Sequence, residues 1–118
     1  MFKERTSKQK SGDQAEKQAR RYLEKQGLKL LISNYRCKCG EIDLIMQHDQ
    51  ILVFIEVRCR ANSRYGSAAE TVDHRKQHKI IKAAQFYLQQ YRHEVACRFD
   101  VVALTSGELS WIPDAFTL

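Results

Sequence analysis

Glu41, Asp43, Glu56, Arg58 and Arg60 stand inside GEIDLIMQHDQILVFIEVRCR, residues 40 to 60, where two apolar runs flank a short polar turn. A hairpin with such runs is built for burial, and a charge buried without a partner is costly, so these residues need a reason. Two carboxylates held close together can bind one divalent cation, and a neighbouring guanidinium can grip phosphate through two parallel hydrogen bonds. With a two-residue turn at 48 and 49, Glu41 falls opposite Glu56, Asp43 opposite Phe54 and Leu44 opposite Val53. Alternation along each strand then gives an apolar face of Ile42, Leu44, Met46, Ile51, Val53, Ile55 and Val57. The other face carries Glu41, Asp43, Ile45, Leu52, Phe54, Glu56 and Arg58, with every charge gathered at the open end.

Directly opposed carboxylates destabilise a sheet, and the diagonal Asp43 and Glu56 would lie roughly 7–8 Å apart, close enough to reach one ion. A positive charge is expected there. Arg58 in a structural ion pair is one way to supply it. Mg²⁺, which binds through one or two carboxylates plus phosphate oxygens, is another. The hairpin geometry leaves both open. A third acid comes from the first helix: at about 100° per residue, Glu16 lies at the border of the stripe Ala15, Ala19, Tyr22 and Leu23, while Asp13 and Glu24 point away. Glu16 is either the acid that leans over the sheet or an ordinary boundary glutamate.

Several elements must position these residues. Ser11-Gly-Asp-Gln14 has the form of a capping box and opens a helix that Gly27 stops, leaving residues 1–10 as a frayed basic tail ahead of a single domain, 11–118. LKLLISNYR and residues 41–46 and 51–58 read as three strands. Residues 60–73, RANSRYGSAAETVD, lack periodicity and read as a mobile loop. Asp73 can cap a second helix whose stripe Ile80, Ile81, Ala84, Tyr87, Leu88 and Tyr91 faces the core, with Arg75, Lys79 and Lys82 as a basic ridge. CRFDVVAL and ELSWI close the chain around the turn TSGE. The order α-β-β-β-α-β-β predicts an α/β fold, one mixed sheet flanked by helices.

The charge of the 118-residue chain narrows the partner. Residues 58 to 92 hold Arg58, Arg60, Arg64, Arg75, Lys76, Lys79, Lys82 and Arg92 against only Glu70 and Asp73, an excess equal to the whole net charge of +6. Nucleic acid is the leading partner class, and monomer and homodimer are both open. No signal-peptide core or membrane-length apolar run is present, so a cytoplasmic protein with no membrane partner is expected. Cys37 and Cys39 lack the spacing of common zinc knuckles, and His74 and His78 share helical spacing without a partner motif. A zinc protein using Cys37 and Cys39 is the third-ranked reading.

An acid in an apolar strand, followed after a turn by acid-x-base, resembles the PD-(D/E)xK nuclease signature, with Asp43 as the first acid and Glu56-Val57-Arg58 as the second half. GDQAEKQARRYLEKQGL, GEIDLI, FIEVRCR, RKQHKI and CRFDVVAL together resemble the bacterial YraN family over about residues 12 to 113. That resemblance implies a restriction-endonuclease-like fold among predicted endonucleases distantly similar to archaeal Holliday-junction resolvases. It implies a Mg²⁺- or Mn²⁺-dependent DNA endonuclease, structure-selective toward branched DNA; the alternative is a non-catalytic nucleic-acid-binding protein with a nuclease-like fold. By position, Asp43, Glu56 and the Val57 carbonyl would hold the metal, Glu16 would complete or orient the site, and Glu41 would be a supporting acid. Arg58 would take the usual lysine position. Arg60, Arg64, Arg75, Lys76, Gln77, Lys79 and Lys82 would contact nucleic acid. Arg58 departs from the pattern because a guanidinium does not deprotonate, so it can clamp phosphate but not act as a base.

Overall fold

The computed structural model describes residues 7–60 and 72–117. Its elements are α1 (Ser7–Lys25), β1 (Lys29–Cys37), β2 (Gly40–His48), β3 (Ile51–Arg60), α2 (His74–Leu88), β4 (Cys97–Thr105) and β5 (Glu108–Phe116), the expected α-β-β-β-α-β-β order. The strands form one sheet in sequence order, with β3 and β4 parallel and the other neighbours antiparallel. This mixed sheet between helices is an α/β fold compatible with the restriction-endonuclease-like architecture. No described helix is long and apolar enough to cross a membrane.

Each helix buries one face of the sheet. Ala19, Leu23 and Leu28 pack with Leu44, Met46, Val53, Ile55 and Val102 on the α1 side. On the other side Ile80, Ala83, Ala84 and Tyr87 of α2 pack with Ile45, Leu52, Phe54, Phe99 and Val101. Sandwiching the sheet in this way explains why β3 reads as an unbroken apolar run rather than a clean alternation.

The ends of α1 illustrate local chemistry. Gly27 adopts φ +98°, which glycine reaches without a Cβ penalty. Its N–H donates to the Glu24 carbonyl at 3.1 Å and that of Leu28 to the Leu23 carbonyl at 3.1 Å, with Leu23 and Leu28 both buried, which is a Schellman stop. At the other end the helix reaches back to Ser7, so Ser11 lies within it and is not its N-cap. The residues Ser7-Lys8-Gln9-Lys10 continue the helix because lysine and glutamine are good helix formers, even though Gly12 costs the interior about 1 kcal/mol. In α2 the expected cap is present: the Asp73 carboxylate accepts from the Lys76 N–H at 2.9 Å. The expected loop falls almost wholly outside the described residues, and so does Arg64; Arg60 is the last residue of β3.

The hairpin turn lies one residue later than the spacing predicts. The ladder runs from His48↔Ile51 to Leu44↔Ile55, so Asp49 and Gln50 make the turn. Asp49 has φ +54°, a left-handed conformation that aspartate tolerates, and the Gln47 side chain donates to its carbonyl at 3.0 Å. The shift slides the register by two, which keeps most faces but brings Asp43 level with Glu56 instead of diagonal to it. Glu41 therefore does not oppose Glu56. It lies opposite Arg36 of β1, and the two form an exposed ion pair at 3.4 Å.

Candidate active site

β2 loses its alternation at Asp43. Ile42 packs in the α2-side cluster and Leu44, two residues on, in the α1-side cluster, so these two do not share the face that strict alternation predicts. On the neighbouring strand Asn34, between the paired Ser33 and Tyr35, has φ +54°. The cause of the break is visible at the carboxylate: Asp43 Oδ2 accepts from the Val57 N–H at 2.8 Å, just past the last β2–β3 pair. The Asp43 side chain thus substitutes for a backbone acceptor where the two strands part, and it turns into the fork between them.

Glu56 meets it from the α2 side. This glutamate is buried, 5% exposed, and its carboxylate lies 3.7 Å from Arg58 Nε and 3.6 Å from Lys76 Nζ. Glu16 reaches over from α1. Asp43 is within hydrogen-bonding reach of both glutamates, and Glu16 also meets the Asn34 side chain. A groove lined by Gly12, Asp13, Glu16, Arg36, Glu41 and Asp43 leads from solvent to this point. Glu16, Asp43 and Glu56, taken from three elements, therefore converge, and Glu41 sits at the groove wall.

The three acids hold protons tightly. Burial, and next the Asp43 charge, push the Glu16 carboxyl up to about 7. Burial and then Asp43 likewise push Glu56 up to about 7, against the opposing pull of Lys76 and Arg58. Burial also raises Asp43, although the Val57 N–H holds its charged form. Carboxyls raised above their unfolded values contribute stability below about pH 4.5 and lose it as pH rises through about 7, because the native state binds the extra protons. With chelator present, melting temperature should therefore fall between about pH 5 and about pH 8, and the fall should be shallower in Glu16→Gln. Equal slopes in thermal melts of the two proteins would contradict the crowding.

The donor chemistry fits a hard divalent cation. Among the described residues no three His, Cys, Asp or Glu side chains form a ready cage for a metal, but Mg²⁺ needs only one or two carboxylates, with water and phosphate completing its shell. Asp43 keeps one carboxylate oxygen clear of the Val57 bond. In an extended strand the N–H and C=O of a residue leave by the same edge, so the Val57 carbonyl faces the same fork as its N–H. Crowded acids with raised proton affinity gain from a cation placed between them.

Sequence reasoning undervalued three residues. Lys76 is expected among the nucleic-acid contacts, yet its ammonium lies against Glu56; its position, three after a capping aspartate, marks the first turn of a helix and carries no sign of what that turn faces. Asn34 has no signal beyond being an asparagine in a strand. Asp100 stands in the quoted CRFDVVAL without a role, and it is wholly buried. Its carboxylate accepts from Arg98 Nε at 2.8 Å, Arg98 Nη2 at 3.0 Å, Trp111 Nε1 at 2.9 Å and the Asp114 N–H at 2.9 Å. The remaining expected contacts divide. The Gln77 amide donates to the Val72 carbonyl at 2.9 Å, tying down the approach to α2, while Arg75, Lys79 and Lys82 lie on its outer side. Cys37, Cys39, Cys59 and Cys97 are free thiols.

Comparison with known proteins places these features in a family. The profile described as "Uncharacterised protein family UPF0102" matches residues 15–104. The UPF0102 protein HEAR0176 of Herminiimonas arsenicoxydans is 50% identical over 111 residues, covering 94% of this chain and 90% of that protein. A UPF0102 protein of Saccharophagus degradans is 52% identical over 110 residues, covering 92% of this chain and 93% of its own. The UPF0102 protein YraN of Escherichia coli O1:K1 is 48% identical over 114 residues, covering 94% and 86%. The matched span takes in Glu16, Asp43, Glu56, Arg58, Lys76 and Asp100, and the chain belongs to the UPF0102 (YraN) family.

Proposed function

We propose that this protein is a divalent-metal-dependent DNA endonuclease that hydrolyses phosphodiester bonds, with selectivity for branched DNA. The observation that carries the reading is the meeting of Asp43 and Glu56 in the fork between β2 and β3, with the cations Lys76 and Arg58 beside Glu56. Asp43, Glu56 and the Val57 carbonyl would hold Mg²⁺ or Mn²⁺, with Glu16 alongside. When bound, that ion would polarise the phosphate and make a water more acidic. The chain itself does the rest. The Val57 N–H orients Asp43, and Lys76 and Arg58 set Glu56 while remaining positioned to bind phosphate oxygens as negative charge builds on them.

The charge pattern of α2 supports an anionic partner. Its first turn has no acid and carries Arg75 and Lys76, although cations at a helix N-terminus oppose the helix dipole and cost about 0.3–1 kcal/mol each. A positive end facing the acids suits phosphate better than it suits helix stability. Lys79 and Lys82 would extend this surface along the bound strand.

A second reading has its own observation. Lys76 and Arg58 already offset the Glu56 charge, which is what a nuclease-like fold that only binds nucleic acid would need. Cleavage of linear, flapped and four-way DNA with Mg²⁺ or Mn²⁺ decides between them: chelator-sensitive cleavage, strongest on branched substrates, is expected. Binding without cleavage under either metal would favour the second reading. Arg58→Ala should lower single-turnover cleavage by about 10²-fold with little change in binding. A wild-type rate with a lowered melting temperature would make Arg58 a structural partner of Glu56 instead.

A further inference from the structure

The exposed face of α2 does not end in charge. Positions 75, 79, 82 and 86 follow one another at the three- and four-residue steps that stack side chains into a row on a helix. The row reads Arg75, Lys79, Lys82, Phe86. Phe86 is 38% exposed and takes no part in the α2-side core, which its neighbour Tyr87 enters. A single exposed phenylalanine is unremarked on most proteins. This one continues a row of cations on a helix that contains no acid at all.

A second element adds to the same patch. β1 and β2 join through a two-residue turn, Lys38-Cys39, between the paired Cys37 and Gly40. That turn lies against α2, where a Cβ built on Gly40 would be 3.5 Å from the Lys79 carbonyl oxygen. Lys38 then extends over the Phe86 ring, its Nζ 5.9 Å from the centroid. Among the described residues no ion pair involves Lys38, Lys79 or Lys82. The result is a partly exposed ring with the ammonium of the flexible Lys38 side chain over it and cations from two elements around it. This is the composition of surfaces that bind single-stranded nucleic acid: cations for the backbone and a ring for a base, which stacks once the Lys38 ammonium swings aside to a phosphate.

We propose that Phe86 is a stacking platform for an unpaired base, with Lys38 and Lys82 holding the phosphates on either side, so that the nucleic acid on α2 is single-stranded at that point. A duplex offers its phosphates to the lysines, but its base faces are already stacked, and the ring would gain nothing from it. The ten helical steps from Lys76 to Phe86 span about 15 Å, so the stacked base belongs to a neighbouring part of the bound strand and not to the bond being cut. This inference rests on the nucleic-acid reading above and adds the form of the substrate to it.

The test measures binding of one single-stranded DNA oligonucleotide and its duplex by anisotropy, with chelator present to prevent cleavage, for wild type, Phe86→Ala and Phe86→Trp. Phe86→Ala should weaken single-strand binding about tenfold or more and leave duplex binding and the salt slope unchanged, since no charge is removed. Phe86→Trp should keep the affinity and show indole fluorescence, above that of Trp111, that the single strand quenches. An unchanged single-strand affinity in Phe86→Ala, or equal losses for both forms, would overturn the proposal. Binding of duplex alone by wild type would overturn it while leaving the nuclease reading intact. Binding of neither form by wild type would remove both.

Discussion

Asp43→Asn should abolish metal-dependent DNA cleavage, with a single-turnover rate at least about 10³-fold below wild type, while the protein stays folded. The substitution is nearly isosteric and keeps an oxygen able to accept from the Val57 N–H, so the fork between β2 and β3 is preserved. What is lost is the negative charge. An amide oxygen is a weak ligand for a hard divalent cation, and without the Asp43 charge Glu56 no longer feels the repulsion that makes the pair receptive to one. The Asp43→Asn protein should also be thermally at least as stable as wild type at neutral pH, since a buried acid has been replaced by a neutral group among two other acids. The two readouts separate chemistry from folding. Full cleavage by Asp43→Asn would remove Asp43 from the active site, whatever the state of the other acids.

Asp100→Ala should cost about 3–5 kcal/mol, a large share of the stability of a domain of this size, and lower the melting temperature by about 10 °C or more. The wholly buried carboxylate satisfies four donors from three residues on β4 and β5. Its removal would leave the half-buried Arg98 guanidinium, the Trp111 indole and the Asp114 N–H without their acceptor, the costly half of a broken buried pair. Asp114 has φ +53°, a conformation for which its bond to Asp100 provides the reason. Asp100→Asn, which keeps the shape but cannot accept from every donor, should fall between the two. A melting temperature within about 2 °C of wild type in Asp100→Ala would mean that water or a rearranged β5 replaces the network.

The sequence is most legible where local chemistry decides. Asp73 caps α2, Gly27 stops α1, and Ser106 and Gly107, both at positive φ, make the last hairpin, each at the expected place. The apolar stripe of α2 faces the sheet as its spacing predicts. The errors cluster where two polar residues compete or where a distant strand intervenes. Either His48-Asp49 or Asp49-Gln50 could form the tight turn, and only the left-handed geometry of Asp49 distinguishes them. Alternation fails at Asp43 because a backbone donor fourteen residues away captures its side chain, which no periodicity records. That failure falls on the candidate catalytic acid, where a fold is expected to break its own local rules. The Asp100 network is invisible for a related reason: three residues scattered between positions 98 and 114 converge only after β5 folds back on β4.

The strand order also has a kinetic meaning. Three of the four strand pairings close through two-residue turns, Lys38-Cys39, Asp49-Gln50 and Ser106-Gly107, and each sacrifices little chain entropy. Only the parallel joint between β3 and β4 must wait for α2 and the segment before it to fold across. The meander β1-β2-β3 can thus form early and bring Asp43 to Val57, whereas Lys76 reaches Glu56 only when the crossover is complete. Asp43 and Glu56 thus assemble with Arg58 already beside them but before Lys76 arrives. In a refolding time course the pocket would pass through an interval in which Arg58 is the nearest cation without Lys76, and a divalent ion in the buffer would find its strongest hold on the chain during that interval rather than at the end.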